Sequence, residues 1–254
     1  MVRYELAISR FVLLLSVAIF CACKPATSKP AATKPVGPTV RATVVTIRTT
    51  MKPENRTQTR AIVIVGDRAR DTGEHEVWRL FDTKASTVTF VDDIARTFRT
   101  EALKTLLDQR RVITTGQLPA HYPRARLDRP GTKRPMHGVT AEAIAIESGA
   151  YKRELWFGEH PAIPRGLFAM MYASQPPTQP LAPMMRAVDE ALLATAGFPL
   201  ADHAEVPVSN DKLIVDRTVI GIAQRDVPEA LVAIPKGYRD VTVKTAHREN
   251  RPSP

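Results

Sequence analysis

The sequence predicts an α+β fold in which a curved antiparallel sheet carries two or three helices packed on one side. Short segments of alternating or β-branched apolar residues recur along the chain, and polar turn residues separate them at close spacing. Only a few segments have the periodicity of an amphipathic helix. Connections this short pair consecutive strands antiparallel, because a parallel pair needs a long crossover.

The first half of the body supplies a meander of predicted strands. Residues 39–50, TVRATVVTIRTT, are β-branched at almost every position, which is typical of a strand. The segment RAIVIVGDR at 60–68 predicts a second strand that ends in a turn at Gly66 and Asp67. Further strands are predicted for EVWRLFD, STVTFVDD and ARTFRT.

Helical periodicity occurs in separate segments. Residues 100–111, TEALKTLLDQRR, have Thr100 as a good N-cap and leucines that share one face. RGLFAMMYAS at 165–174 predicts a short helix. MMRAVDEALLATAGF at 184–198 predicts an amphipathic helix that ends at Gly197 as its C-cap.

Residues 119–137 predict an exposed loop, because four prolines and five basic residues interrupt any regular pattern. The loop is either a solvated insertion or a basic contact surface. Four later segments predict strands: VTAEAIAIES, AYKRELWFG, KLIVDRTVIGIAQ and YRDVTVKT. We therefore expect one domain over residues 39–245 and a disordered tail over residues 246–254.

The N-terminal segment predicts export. Residues 11–22 form an apolar run after Arg3 and Arg10, and the run is shorter than the roughly 20 residues that span a bilayer as a helix. This pattern is typical of a signal peptide over residues 1–22. Residues 23–38 are rich in Lys and Pro and predict an extended tether.

Cys21 and Cys23 are the two cysteines of the chain, and they lie too close together to staple a loop. The apolar run, the small Ala22 before Cys23 and the tether resemble a bacterial lipoprotein signal, whose cysteine becomes the lipidated first residue. Cys23 fits better than Cys21, because the large Phe20 precedes Cys21. The resemblance implies a lipid anchor in the periplasm or outer membrane. Simple secretion and an uncleaved anchor are the alternatives.

Four blocks of the body resemble a family of uncharacterised secreted bacterial proteins. They are IVGDRARDT, VWRLFDTKASTVTFVDDIARTFRT, GAYKRELWFGEHPAIPRGL and RTVIGIAQRDVPEALVAIPKGY, within residues 39–238. That family is similar in predicted shape to the outer-membrane lipoprotein carrier and receptor proteins, whose incomplete β-barrel wraps helices and holds acyl chains. The resemblance implies a half-barrel-like domain and an acyl-chain or lipopeptide ligand. Arg153 stands where relatives often have Cys.

The sequence contains no nucleophile-elbow, P-loop, zincin or dinucleotide-binding motif. We therefore expect a protein that is not an enzyme and that uses no cofactor or metal, with an unrecognised hydrolase as the less favoured alternative. In a strand, His75 would point away from its neighbours Glu74 and Glu76, which argues against a metal site there. Asp92 and Asp93 share a hairpin turn, where carboxylates usually accept hydrogen bonds from nearby backbone N–H groups.

The formal net charge of +10 suits an anionic membrane surface, an acidic protein or nucleic acid, and the export signal argues against nucleic acid. We expect a cell-envelope lipoprotein that binds an apolar or lipid-like ligand on the concave face of its sheet. An envelope protein–protein interaction module that uses the basic 119–137 loop is the alternative. Apolar residues expected to line the ligand site, or else to pack in the core, are Trp78, Phe81, Phe90, Trp156, Met170 and Met171.

If Cys23 carries the lipid, Cys23→Ala should abolish metabolic labelling with palmitate and release the protein from the membrane fraction, because stable anchoring needs the acyl chains. The matched variant Cys21→Ala should be labelled like the wild type. Labelling that persists in Cys23→Ala would contradict the assignment.

Overall fold

The computed structural model describes residues 37–72, 77–114, 125–175, 192–193, 195–208 and 211–242. These residues form one sheet of thirteen strands. The strands are β1 (Thr39–Lys52), β2 (Arg56–Val65), β3 (Arg68–Asp71), β4 (Val77–Asp82), β5 (Thr87–Asp92), β6 (Thr97–Ala102), β7 (Arg126–Asp128), β8 (Lys133–Met136), β9 (Val139–Ser148), β10 (Tyr151–Gly158), β11 (Phe198–Val208), β12 (Asp211–Pro228) and β13 (Arg239–Asp240).

The strands lie in the order β13-β6-β5-β4-β3-β2-β1-β12-β11-β10-β9-β7, and β8 also pairs with β9. All neighbours are antiparallel except β13, which runs parallel to β6. The sheet is open and curved, with β13 and β7 at its two ends in the described part of the chain. The predicted α+β class and the antiparallel meander are confirmed.

β-Bulges interrupt two of the central strand pairs. On β1, the partner on β12 shifts from Gly221 opposite Thr46 to Val219 opposite Ile47, so that Ile220 is the extra residue. Between β10 and β11, the partner shifts from Ala201 opposite Trp156 to Pro199 opposite Phe157, so that Leu200 of β11 is the extra residue. Bulges bend the strand that carries them and increase its twist, so these two add to the curvature of the sheet.

The helices α1 (Leu103–Thr114) and α2 (Leu167–Ala173) pack against each other and on one side of the sheet. Leu106 is buried, and Leu103 and Leu107 pack beside it on the same hydrophobic cluster. The predicted leucine face of the first helix is therefore confirmed.

The prediction that Thr100 caps α1 is wrong. Thr100 lies inside β6, where its hydroxyl is 2.9 Å from the hydroxyl of Thr89 and its backbone N–H donates to Thr242 Oγ1 at 2.9 Å. These contacts keep the chain extended, and the helix begins three residues later at Leu103.

The sheet has an apolar cluster on each face. We call the face under α1 and α2 the helix face; its cluster includes Val45, Ile62, Phe81, Met170 and Leu200. We call the opposite side the outer face. Its cluster is covered by the segment after β12, which begins with a 3₁₀ turn at Glu229–Val232, and contains Ala42, Val63, Trp78, Leu80, Val91, Val227 and Val232. Both faces of the central strands are therefore buried in part.

The structure corrects the loop prediction for residues 119–137. Within its described part, residues 126–128 form β7 and residues 133–136 form β8, and both pair with β9. Most of these residues are exposed, as expected. The strands β3 and β11 were not predicted from the sequence.

Several sequence predictions lie outside the described residues. They concern the signal peptide, Cys23, nearly all of the tether, the tail, and most of the 184–198 helix, of which Leu192 and Leu193 are described as helical. Within the described ranges, no helix is long and apolar enough to cross a membrane. Gly197, predicted as the C-cap of that helix, lies directly before β11, and its φ of +97° favours glycine.

Candidate functional site

A cavity of about 390 Å³ lies between the helix face and α2. Its floor comes mainly from β10, β11 and β12, and α2 forms one wall. The larger apolar residues that line it are Ile47, Phe168, Met171, Phe198, Val206, Leu213, Val215 and Val219. The charged residues that line it are Arg60, Arg110, Arg153, Arg217 and Asp202.

Strand alternation places the charges in this cavity. On β10, β11 and β12 the parts of the helix-face rows that line the cavity are mainly apolar, and each contains one charged residue, namely Arg153, Asp202 and Arg217. Asp202 lies two residues after the buried Leu200, and Arg217 lies two residues after the buried Val215. Because every second side chain of a strand points to the same face, each charged residue enters the same space as the apolar residues two positions away.

Asp202 is the centre of the polar network. Arg153 binds it in a fork, with Nε 2.8 Å from Oδ1 and Nη2 3.0 Å from Oδ2. Arg217, which lies directly opposite on β12, donates from Nη1 to Oδ2 at 2.8 Å. Asp202 and Arg153 are nearly buried, whereas 42% of the Arg217 side chain is exposed. Forked pairs of this kind are among the stronger hydrogen bonds in proteins.

The pairing sets the protonation states. Burial alone would raise the pKa of Asp202, but the charges and hydrogen bonds of Arg153 and Arg217 outweigh it and lower that pKa. Burial alone would lower the pKa of Arg153, but Asp202 outweighs it and raises that pKa. Burial is the main reason that the pKa of Tyr151 is raised. At neutral pH the network therefore holds an ionised carboxylate, a charged Arg153 and a neutral phenol.

Arg60 is the cation on the β2 side of the cavity. Its Nη1 donates to Asp71 Oδ2 at 2.9 Å, on the neighbouring strand β3. Its Nε is buried and has no hydrogen-bond partner among the described residues. The side chain of Arg60 is 26% exposed, so part of it faces solvent in the cavity.

Two more arginines hold the C-terminal end of α2 in place. Arg79 Nη1 donates to the carbonyl oxygen of Ser174 at 3.3 Å and to its Oγ at 3.2 Å. Arg110 Nη1 donates to the carbonyl oxygen of Gln175 at 2.8 Å, and its guanidinium lies 4.4 Å from the centre of the Tyr172 ring. Cations stabilise this end of a helix, because its last carbonyls carry partial negative charge.

The structure separates the residues predicted to line a ligand site. Phe81, Met170 and Met171 belong to the helix-face cluster, and Phe90 and Trp156 pack against it. Trp78 belongs to the cluster on the outer face. Of these six residues, Met171 is the one that lines the described cavity.

The two tryptophans have hydrogen-bond partners within the fold. Trp78 donates from Nε1 to Asp93 Oδ1 at 2.9 Å, and the Arg70 guanidinium lies 3.7 Å from the centre of its ring. Trp156 donates to Glu154 Oε1 at 2.6 Å beneath Arg134. Hydrogen bonds of this kind usually accompany the burial of Trp.

The adjacent carboxylates Asp92 and Asp93 also accept hydrogen bonds from other residues of the fold. Asp92 Oδ1 accepts the backbone N–H of Ala95 at 2.8 Å, which confirms the predicted turn. Asp93 accepts from Trp78 and from the Tyr238 hydroxyl, at 3.0 Å for the latter. His75 and its neighbouring carboxylates lie outside the described residues. Among the residues that are described, no group of three His, Cys, Asp or Glu side chains could bind a metal.

Sequence reasoning missed the residues at the centre of the cavity. The segment FPLADHAEVPV was not recognised as a strand, so Asp202 was not considered. A signal for Asp202 was present: it is the one charged residue among alternate apolar residues in FPLADHAEV. Arg217 has the same position between Val215 and Val219 in IVDRTVI. One such residue on each of two neighbouring strands indicates a buried ion pair.

No family model matches the chain, and no curated protein matches it. Among solved structures, the chain is similar to PNGF-II in its C2 and P21 crystal forms, each with a TM-score of 0.41 and 8% identity. The match covers 80% of this chain but 31% and 32% of the two PNGF-II chains. The chain thus spans about a third of the PNGF-II chains, and a likeness this weak supports no statement about its activity.

Replacing Asp202 by Asn should lower the free energy of unfolding by about 3–5 kcal/mol at pH 7, because it leaves buried Arg153 without a counter-charge. The folded pKa of Asp202 lies below its unfolded value, so its contribution is complete above about pH 4 and is lost as pH falls through the folded pKa. Urea denaturation should therefore show the difference between wild type and variant narrowing below about pH 4.

The matched control is Asp226→Asn on β12. Asp226 pairs with Arg41, and their side chains are 66% and 63% exposed. Its loss should change stability by less than about 1 kcal/mol. An Asp202→Asn variant as stable as this control would contradict the role given to Asp202.

Proposed function

We propose that the protein is a non-enzymatic cell-envelope lipoprotein, anchored through Cys23, that binds an apolar or lipid-like ligand in the cavity between the helix face and α2. We further propose that the curved sheet acts as an incomplete β-barrel around this ligand. One observation carries the ligand proposal: a cavity of about 390 Å³ with large apolar side chains from both the sheet and α2.

The size and lining of the cavity support a small ligand. Binding sites for small molecules have volumes of roughly 300–1,000 Å³ and are lined mainly by apolar side chains with a few polar groups. Phe168 and Met171 from α2 face the floor that includes Phe198 and Val219. An acyl chain between them would gain roughly 25 cal/mol for each Å² of apolar surface that it buries.

The short helix α2 suits the entry of such a ligand. It has seven residues, and its described hydrogen bonds to the rest of the fold include those from Arg79 and Arg110 at its C-terminal end. Met171 presents a flexible side chain to the cavity, and methionine adapts readily to ligands of different shape. The wall of the cavity could thus adjust while its floor stays fixed by the sheet.

The state of Asp202 supports a binding role rather than catalysis. Both of its oxygens accept hydrogen bonds from arginines, and its pKa is lowered. A general acid or base works best with a pKa near the working pH. The described lining of the cavity contains no Ser, His or Cys that Asp202 could assist. We therefore give Asp202 the task of neutralising and positioning arginines.

The edge strand β7 favours a second candidate function, as a protein-interaction module. In the part of the chain that the structure describes, β7 ends the path of the sheet, and a strand at an edge offers backbone groups for pairing with another chain. Arg126 on β7 and Lys133 on β8 are exposed and basic. This surface suits an acidic extended segment of another envelope protein.

The ligand proposal predicts that the neutral apolar dye N-phenyl-1-naphthylamine binds the purified protein and that Met171→Gln weakens binding on the order of tenfold, because the amide must lose its hydration. Fluorescence titration measures the affinity, and a fatty acid should displace the dye.

The control for this titration is Ile220→Gln, which makes the same kind of change at the exposed bulge residue of β12. Its affinity should equal that of the wild type. The absence of dye binding, or equal affinities in both variants, would overturn the ligand proposal.

The interaction proposal predicts that Arg126→Glu combined with Lys133→Glu removes a specific cross-linked partner band in intact cells, because like charges then oppose an acidic segment. The control pair, Arg48→Glu with Lys84→Glu, reverses two exposed cations away from β7 and should keep the band. An unchanged band in the first pair rejects the second candidate.

A further inference from the structure

The charges that line the cavity do not balance. Four arginines line it, namely Arg60, Arg110, Arg153 and Arg217, against one carboxylate, Asp202. Asp71 on β3 pairs with Arg60 and adds a second carboxylate. The arginines around the cavity still outnumber the carboxylates. Positive charge removed from water is costly unless it is paired. An anionic group in the cavity would pair with Arg60 and Arg217, whose side chains are part exposed.

The two arginines nearest solvent have donors to offer. A guanidinium has five N–H donors in a planar fork. Among the described residues, Arg217 donates one hydrogen bond, to Asp202, and Arg60 donates one, to Asp71. Both side chains are part exposed, and the buried Nε of Arg60 has no partner in the described part of the chain. Arg153, by contrast, is occupied by its fork with Asp202.

The sheet register brings Arg60 and Arg217 to the same site. Arg60 lies opposite Ile47 of β1, Ile47 lies opposite Val219 of β12, and Arg217 is two residues before Val219 on the same face. Two strand spacings of about 4.8 Å therefore separate their strands. Long arginine side chains from the two positions can reach one anionic group between them.

The other half of the lining is apolar. Phe168 and Met171 on α2 and Phe198 and Val219 on the sheet line the same cavity as the arginines. Resting on the proposed function, we propose that the ligand is an anionic amphiphile, with a single carboxylate or phosphate held by Arg60 and Arg217 and an aliphatic chain against these apolar residues. The two arginines determine specificity for the anionic head, and the apolar wall accepts the chain.

The test compares four probes on the purified full-length chain by isothermal titration calorimetry: decanoate, decyl phosphate, decanol and inorganic phosphate. Decanoate and decyl phosphate should bind at least about tenfold more tightly than decanol, the gain expected for a charge-assisted hydrogen bond. Inorganic phosphate should bind much more weakly than decyl phosphate, since it lacks the chain.

Variants assign the preference to residues. Arg217→Gln and Arg60→Gln should each weaken decanoate binding about tenfold and leave decanol binding within about twofold. Arg217→Lys keeps the charge and should retain most of the preference, which guards against loss of folding as the cause. Arg48→Gln removes an exposed cation of β1 on the outer face and should have no effect.

The outcomes separate the two proposals. Equal affinity for decanol and decanoate would overturn this inference and leave the proposed function standing. No binding of any decyl probe would overturn both. Inorganic phosphate that binds as tightly as decyl phosphate would show a free-anion site and overturn the amphiphile. A preference for decanoate that survives in both Gln variants would overturn the role of the two arginines.

Discussion

The pairing of charges across neighbouring strands is the constraint on which this structure depends. Alternation sends Arg153, Asp202 and Arg217 into the space between the sheet and its helices, where unpaired ions would be costly. Asp202 satisfies two arginines at once, through hydrogen bonds of 2.8 and 3.0 Å to Arg153 and 2.8 Å to Arg217. A neutral or apolar residue at that position would leave both cations without this partner.

Two arginines outside this row hold the end of α2. Arg79 on β4 and Arg110 on α1 donate hydrogen bonds to the carbonyl oxygens of Ser174 and Gln175 just after α2, so the C-terminal end of this helix is held in place. Burial lowers the pKa of Arg79, and nearby Asp71 opposes this effect. Arginines of the fold thus both bind carboxylates and hold a short helix that could not be stable alone. The cavity is thus lined by more arginines than carboxylates, beside the apolar residues of α2.

The class of fold could be predicted from the sequence because long alternating segments dominate it. The strands at 39–52, 77–82 and 139–148 and the leucine face of α1 follow directly from residue periodicity. The strands β7 and β8, within the predicted 119–137 loop, and the strands β3 and β11 could not be predicted in this way. β3 has four residues, three of them charged, and β11 contains Pro199, Pro207 and several polar residues, so neither has a strong apolar pattern.

The candidate site was harder to predict than the fold. Its charged residues come from strands that are distant in sequence, and Asp202 meets Arg153 only because β11 pairs with β10. Aromatic content pointed instead to Trp78, which alternation places on the outer face. Thr100 shows the same limit at the local level, because a good N-cap residue became part of β6 when hydroxyls and backbone on neighbouring strands supplied its hydrogen bonds. In both cases tertiary pairing outweighed the local preference.

The position of β1 has a mechanical consequence. β1 is the first described strand, yet it lies in the interior of the sheet, paired with β12 along its whole length and with β2 over residues 43–51. A pulling force on the chain upstream of residue 39 would act along β1 and load all of these backbone hydrogen bonds together in shear. An edge strand pulled outward would instead lose its hydrogen bonds one after another. The order of the strands therefore suits this end of the domain to resist tension.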